Sequence, residues 1–291
     1  MVRRERKLEQ KENEVDSENK ASENRSLSTA VRSCKLNENL NARTQSAEMP
    51  DPGSPLRPSS APSYRMPHPG TQPEYLHPPY VSSLLRAPRQ PLIGLPHTTT
   101  EVTGPAFGPE FAGAHGADLT RQHAGEPVGE RIVVSGRVLD ESGKPVRNAP
   151  IEIWQANAAG RYLHSSDQHN APLDPNFSGS GRVMTGDNGH YLFITIKPGS
   201  YPWRNHFNAW RPAHIHFSLF GAAFVTRLVT QMYFPGDPLL PFDPIFNCTA
   251  DETARNRLIS RFDWDTVRPE FALAYKFDIV LRGREETPFE A

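Results

Sequence analysis

The residues best placed to do chemistry stand in one stretch, Tyr201-Pro-Trp-Arg-Asn followed by Ala209-Trp-Arg-Pro-Ala-His-Ile-His-Phe217. In a strand, residues two apart point to the same face. His214 and His216 therefore project side by side, as an HxH pair does when it grips one metal ion. Ile215 and Phe217 point the other way, into apolar packing. An HxH pair alone has other readings: two half-buried histidines satisfied by hydrogen bonds, or a zinc or copper site. The neighbourhood narrows them. No cysteine stands nearby for a zinc site. No carboxylate stands nearby to complete a two-His, one-carboxylate Fe(II) centre. Tyrosine is the other donor type close by. A phenolate is a hard anionic oxygen, and a bound cation deprotonates a phenol whose free pKa is about 10. Tyrosines combined with histidines suit Fe(III). Arg211 and Trp210 precede the pair.

The elements that must position these groups are mostly strands. Residues 132–139 are β-branched and apolar and run into the turn Asp140-Glu-Ser-Gly-Lys-Pro145. Residues 149–155 alternate, with Ile151, Ile153 and Gln155 on one face and Glu152 and Trp154 on the other. Residues 181–185 and 190–196 bracket Gly186-Asp-Asn-Gly189, which predicts a hairpin. Further strands are expected at 213–219, 224–234 and 274–282. One helix is expected over 251–262, capped by Asp251 or Thr249. Short strands at close spacing with Gly and Pro turns imply a mainly β fold, a β-sandwich with long loops and few short helices.

The chain has 291 residues and a hydrophobic fraction of 36%, below the usual roughly 45–50%. The deficit is local. Residues 1–48 are charged and polar, cannot offset their ordering entropy, and are expected to be a disordered tail. Met49 is a candidate start of the folded protein. Residues 49–100 are Pro-rich but carry Tyr64, Tyr75, Tyr80, Leu84, Leu85, Leu92 and Ile93. They are expected to form an extended arm lying on the core or on a partner subunit. Residues 101–291 are then the β-sandwich catalytic domain. The formal net charge of -1 gives no whole-chain field for nucleic acid or an anionic membrane. Cys34 and Cys248 make neither a disulfide framework nor a CxxC site. The first twenty residues lack the apolar region of a secretory signal, and no apolar run is long enough to span a bilayer. A cytoplasmic protein is expected.

From about Tyr75 to Phe289 the sequence resembles the intradiol ring-cleaving dioxygenases, most of all their protocatechuate-cleaving branch. The resemblance rests on several separated motifs, among them SLLRAPRQPL, IEIWQANAAGRYLH, IKPGSYPWRN, WRPAHIHFS, TQMYFPGDPL and KFDIVLRG. It implies a non-haem Fe(III) cofactor held by Tyr162, Tyr201, His214 and His216. It implies that Tyr201 is the ligand released to substrate and that Arg211 stabilises charge developing on the ring. Tyr80, Trp203, Gln231, Tyr233 and Ile245 match positions that line the substrate pocket. Pro202 and Pro212 fix the backbone around the ligands. The implied reaction splits a small aromatic substrate, protocatechuate, with O₂ to 3-carboxy-cis,cis-muconate. The implied partner is a homologous α subunit in a hetero-oligomer. Catechol or hydroxyquinol 1,2-dioxygenation is the alternative within the class. A non-catalytic β-sandwich binding subunit is the alternative outside it, and such chains lack the four ligands.

Overall fold

The computed structural model describes residues 68–93, 98–103, 107–113, 116–221 and 226–291. The charged segment 1–48, Met49 and the arm up to residue 67 lie outside the described residues.

Two main sheets form. In the first, β1 (Arg131–Leu139) is central. It pairs antiparallel with β4 (His190–Ile196) on one side and parallel with β10 (Leu273–Lys276) and β11 (Ile279–Val280) on the other. β9 (Arg261–Phe262) pairs with β10 at the edge. The second sheet is antiparallel, in the order β3 (Ser180–Met184), β2 (Pro150–Gln155), β7 (His214–Leu219), β8 (Leu228–Tyr233). A small ribbon of β5 (Tyr201–Trp203) and β6 (Ala209–Arg211) stands beside it. The inner faces of both sheets share one apolar core that includes Ile132, Val134, Ile151, Ile153, Phe193, Ile215, Phe217 and Phe277. Phe217 of one sheet packs against Phe193 of the other and against Phe277, which lies between β10 and β11, with ring centroids 5.9 and 5.3 Å apart. The fold is therefore a β-sandwich, as the strand pattern implied.

Three expectations are corrected. The turn Gly186–Gly189 forms, with Gly186 N donating to His190 O at 2.9 Å. However, β3 and β4 do not pair across it. β3 pairs with β2 and β4 with β1, so the turn carries the chain from one sheet to the other. A turn motif says that the chain reverses; it does not say which strand each arm joins. The helix expected over 251–262 is only Glu252–Asn256, with the Asp251 side chain accepting from Ala254 N at 2.7 Å. Beyond it Ser260 N donates to Tyr233 O at 2.8 Å, so the backbone turns to strand partners instead. The closing strand 274–282 splits at Phe277 and Asp278. There Asp278 Oδ1 takes the place of a ladder carbonyl and accepts from Arg137 N at 3.0 Å. The strand expected over 224–234 is β8, and residues 222–225 lie outside the described residues.

The described part of the arm lies against the sandwich. Pro73 bridges Thr249. Asn205 donates through Nδ2 to Pro79 O at 2.7 Å and accepts from Val81 N at 2.9 Å. A single helical turn, α1 (Ser83–Arg86), follows. Tyr75, Leu76, Leu84, Leu85, Leu92 and Ile93 remain exposed. No helix among the described residues is long and apolar enough to cross a membrane.

Candidate metal centre

Strand register decides which side chains meet. Trp154 lies opposite His216, His216 opposite Gln231, and His214 opposite Tyr233. Directly paired residues share a face of the sheet. So Trp154, His214, His216, Gln231 and Tyr233 form one outward-facing row, while Ile215 and Phe217 fill the core. All six residues of β7 are buried because loops and the ribbon cover that outward face. In the ribbon, Tyr201 is opposite Arg211, which brings the phenol and the guanidinium to the same edge.

The second tyrosine arrives on a loop. Asn157 Oδ1 accepts from Ala159 N and Arg161 N, each at 2.9 Å, and curls the chain just before Tyr162. Tyr162 N donates to Asp167 Oδ2 at 2.8 Å. Gly199 N donates to Asn157 O at 3.0 Å, which ties the approach to Tyr201 to the loop carrying Tyr162.

The result is a quartet of donors. The Tyr162 hydroxyl lies 3.2 Å from Nε2 of His216, and the Tyr201 hydroxyl lies 3.3 Å from Nε2 of His214. The two imidazole centroids are 4.8 Å apart and the two phenol centroids 5.4 Å apart. Both histidines have their outer nitrogen engaged. His214 Nδ1 donates to Pro212 O at 2.7 Å, and His216 Nδ1 donates to Glu290 Oε2 at 3.0 Å. In the neutral rings this leaves both Nε2 lone pairs aimed at the phenols. Burial, then the charges of Arg211 and His216, hold His214 well below the usual imidazole range, so it stays neutral. Trp154 lies flat on His216, its ring 4.7 Å away and 6° from parallel.

This arrangement fits a metal ion. Donors each roughly 2 Å from one ion are roughly 3 Å from one another, which is the spacing between each phenol oxygen and its neighbouring Nε2. Among the described residues, no three His, Cys, Asp or Glu side chains gather into such a group. A cation here therefore depends on the phenols. Burial raises both phenol pKa values. For Tyr162 the Tyr201 charge adds to the rise, whereas for Tyr201 Arg211 opposes it. A cation between them reverses that sense by stabilising both phenolates. Two hard anionic oxygens with two borderline nitrogens suit a hard, high-charge ion.

Arg211 is 3% exposed. Its Nη2 donates to Gln231 Oε1 at 2.7 Å, Asp243 Oδ2 at 2.9 Å and the Tyr233 hydroxyl at 3.0 Å, and Nη1 lies 3.3 Å from His214 Nε2. Asp243 is fully buried and also caps the short helix Pro244–Asn247. Removing one member of such a buried pair costs about 3–5 kcal/mol, because the other charge is left uncompensated. Burial works against the Arg211 charge, but Tyr233 and Asp243 outweigh it and hold the side chain protonated.

An open cleft of about 860 Å³ reaches the quartet, lined by Trp154, Tyr162, Tyr201, Trp203, Arg204 and His216 among others. Of the residues expected to touch substrate, Trp203 lines this cleft and Tyr80 packs against Trp203 at 5.7 Å. Gln231 and Tyr233 lie behind the quartet as partners of Arg211, and Ile245 is buried on the helix that Asp243 caps. Sequence reasoning missed Trp154, Asp243 and Glu290. Asp243-Pro244 is legible as a helix cap, but nothing local ties it to Arg211. Glu290 lies 74 residues from His216, and no sequence pattern connects the two.

A β-sandwich that brings two phenols and two imidazoles around one point has a donor set that could hold a single metal ion. A family model described as Dioxygenase matches residues 102–283, and one described as the protocatechuate 3,4-dioxygenase beta subunit N terminal matches residues 62–98. The chain is 62% identical over 222 residues to the protocatechuate 3,4-dioxygenase beta chain of Burkholderia cepacia, covering 76% of this chain and 94% of that one. It is 30% identical over 208 residues to the protocatechuate 3,4-dioxygenase alpha chain of Pseudomonas putida, covering 68% and 98%. Among solved structures, the hydroxyquinol 1,2-dioxygenase of Pseudomonas putida DLL-E4 aligns at 25% identity and a TM-score of 0.44, covering 57% of this chain and 59% of that one. The chain belongs to the intradiol ring-cleavage dioxygenase family. It is an enzyme, an oxidoreductase that adds both atoms of O₂ to its substrate.

Proposed function

We propose that the chain holds one ferric ion through Tyr162, Tyr201, His214 and His216. It cleaves protocatechuate between the two hydroxyl-bearing ring carbons to give 3-carboxy-cis,cis-muconate. The observation that carries this reading is the convergence of two phenol oxygens and two imidazole Nε2 atoms at the wall of an open cleft. The 62% identity to a chain named for protocatechuate supports that substrate over catechol or hydroxyquinol. When bound, the ferric ion supplies Lewis acidity that draws electron density from the ring oxygens and makes a ring carbon reactive toward O₂.

The chain's own residues do the rest. Tyr201, as phenolate, accepts a proton from a substrate hydroxyl, which is general-base work. Arg211 stands opposite Tyr201 in the ribbon and is locked by Gln231, Tyr233 and Asp243. A guanidinium fixed in a low-dielectric site stabilises negative charge developing on the ring without reorganising. Trp203 Nε1 is buried with no acceptor among the described residues, so it is free to donate to a substrate oxygen. Trp154 and Trp203 line the cleft with flat aromatic faces against which an aromatic ring can be oriented.

The proposal includes a homologous α subunit, supported by the similarity to an alpha chain. The exposed apolar side chains of the arm are the offered contact surface. It also includes a cytoplasmic location, supported by a sequence with two isolated cysteines. The test is oxygen uptake by the iron-loaded protein, co-purified with its α chain, on protocatechuate, catechol and hydroxyquinol in parallel. Uptake fastest with protocatechuate, with the carboxymuconate identified by its ultraviolet spectrum, is expected. Faster uptake with either competitor would overturn the substrate assignment.

A further inference from the structure

We propose that the segment Glu286–Glu290 is part of the metal centre, and that Glu290 is the positioning residue that orients His216 for coordination. The inference rests on the proposed role of His216 as a ligand. The family match ends at residue 283, so it does not reach this segment.

The segment is stitched to the second sheet and beyond. Thr287 N donates to Val280 O at 2.9 Å, and the Thr287 hydroxyl accepts from Val280 N at 3.0 Å. Thr230 donates through its hydroxyl to Pro288 O at 2.7 Å, and Glu290 N donates to Val229 O at 2.7 Å. Phe289 N donates to Gln72 Oε1 of the arm at 2.7 Å. These bonds fix the backbone of Glu290 next to β8, the neighbour of β7. From there its carboxylate reaches His216 Nδ1 at 3.0 Å.

The two imidazoles are thus held differently. His214 has a neutral backbone carbonyl behind it, whereas His216 has a carboxylate. A carboxylate behind a ligating imidazole fixes the ring's tautomer and orientation and strengthens its donor nitrogen. It also completes a charge balance. Two phenolates and the Glu290 carboxylate together match a trivalent cation, while Arg211 and Asp243 neutralise each other. Gln72 adds a physical link from the arm to the ligand, through Phe289 and Glu290.

The test measures iron affinity by competition with a chelator, together with the visible tyrosinate-to-iron band. It compares the full-length chain, Glu290→Ala, Glu290→Gln and Phe289→Ala. Glu290→Ala is expected to bind iron about 10–100-fold more weakly. Its iron-free melting temperature should stay near wild type, because the bond from the residue 290 amide to Val229 survives. Glu290→Gln keeps an acceptor oxygen and is expected to recover part of the affinity, with a shifted band. Phe289→Ala is expected to behave as wild type. Unchanged affinity and spectrum in Glu290→Ala would overturn the inference. So would equal iron loss in Glu290→Ala and Phe289→Ala, which would assign the effect to the fold. A wild-type chain that takes up no iron and shows no band would instead overturn the metal reading itself.

Discussion

Arg211 makes the two phenols unequal. It opposes the burial that raises the Tyr201 pKa and bears less on Tyr162, where burial and the Tyr201 charge act together. Under the proposed ferric reading, Tyr201 is then the phenolate with a cation beside its oxygen on release, and Tyr162 the one proposed to stay. Tyr162→Phe keeps the ring and deletes the donor. The purified protein is expected to be burgundy to red, and Tyr162→Phe is expected to bleach or shift the visible band; an unchanged spectrum would refute the ligand assignment. His216→Ala is expected to lose iron by metal analysis. A separate expectation concerns Cys248. Burial, then the charge of Asp243, pushes its thiol up to about 12, and it donates to Ile245 O at 2.8 Å. A raised thiol pKa means that the reactive thiolate is absent at ordinary pH. The Cys248 peptide is expected to stay unalkylated by iodoacetamide at pH 8 in the native protein and to react fully after unfolding, as counted by mass spectrometry.

The working element is a strand with both faces committed. β7 turns Ile215 and Phe217 into the core and His214 and His216 outward, so one six-residue segment both anchors the sandwich and presents the two imidazoles to the phenols. That much was legible, because the period of two is a local property of extended backbone. The loop geometry was not. Gly160 has a φ of +76°, and a Cβ there would lie 2.2 Å from Ser200 O and 3.2 Å from the Tyr201 Cβ. Gly160 thus lets the loop of Tyr162 touch the approach to Tyr201. Gly160→Ala forces a left-handed backbone on a side chain, at about 1–3 kcal/mol, and adds a clash with fixed backbone. It is expected to lower the melting temperature of the iron-free protein and to weaken the visible band by separating the phenols. A stable, fully coloured Gly160→Ala would show that the two loops are not held together through this contact. The Gly186–Gly189 turn teaches the complementary point. Its residues signal a tight reversal correctly, but both facing sheets offer apolar partners, so the reversal does not fix the pairing.

At the scale of the molecule, the arm is the unfinished surface. Tyr75, Leu76, Leu84, Leu85, Leu92 and Ile93 stay exposed although the backbone around them is tied to Thr249 and Asn205. Several large apolar side chains left exposed along one segment offer an interaction surface. Co-expression with a neighbouring α-like chain is expected to give a stable hetero-oligomer by size-exclusion chromatography, with higher oxygen uptake per iron than this chain alone. Full activity from this chain alone would overturn the need for a partner. The sequence by itself determined the strand-rich fold and the HxH face and, through its motifs, named Tyr162, Tyr201, His214, His216 and Arg211 as side chains expected to meet. Each is written in a short run of residues whose spacing maps directly onto backbone geometry. Only the tertiary structure decided that β3 and β4 part into different sheets, that Asp243 locks Arg211, and that Glu290 stands behind His216. Those contacts join segments far apart in the chain, and their partners are selected by packing in three dimensions, which leaves no periodic trace in the order of residues.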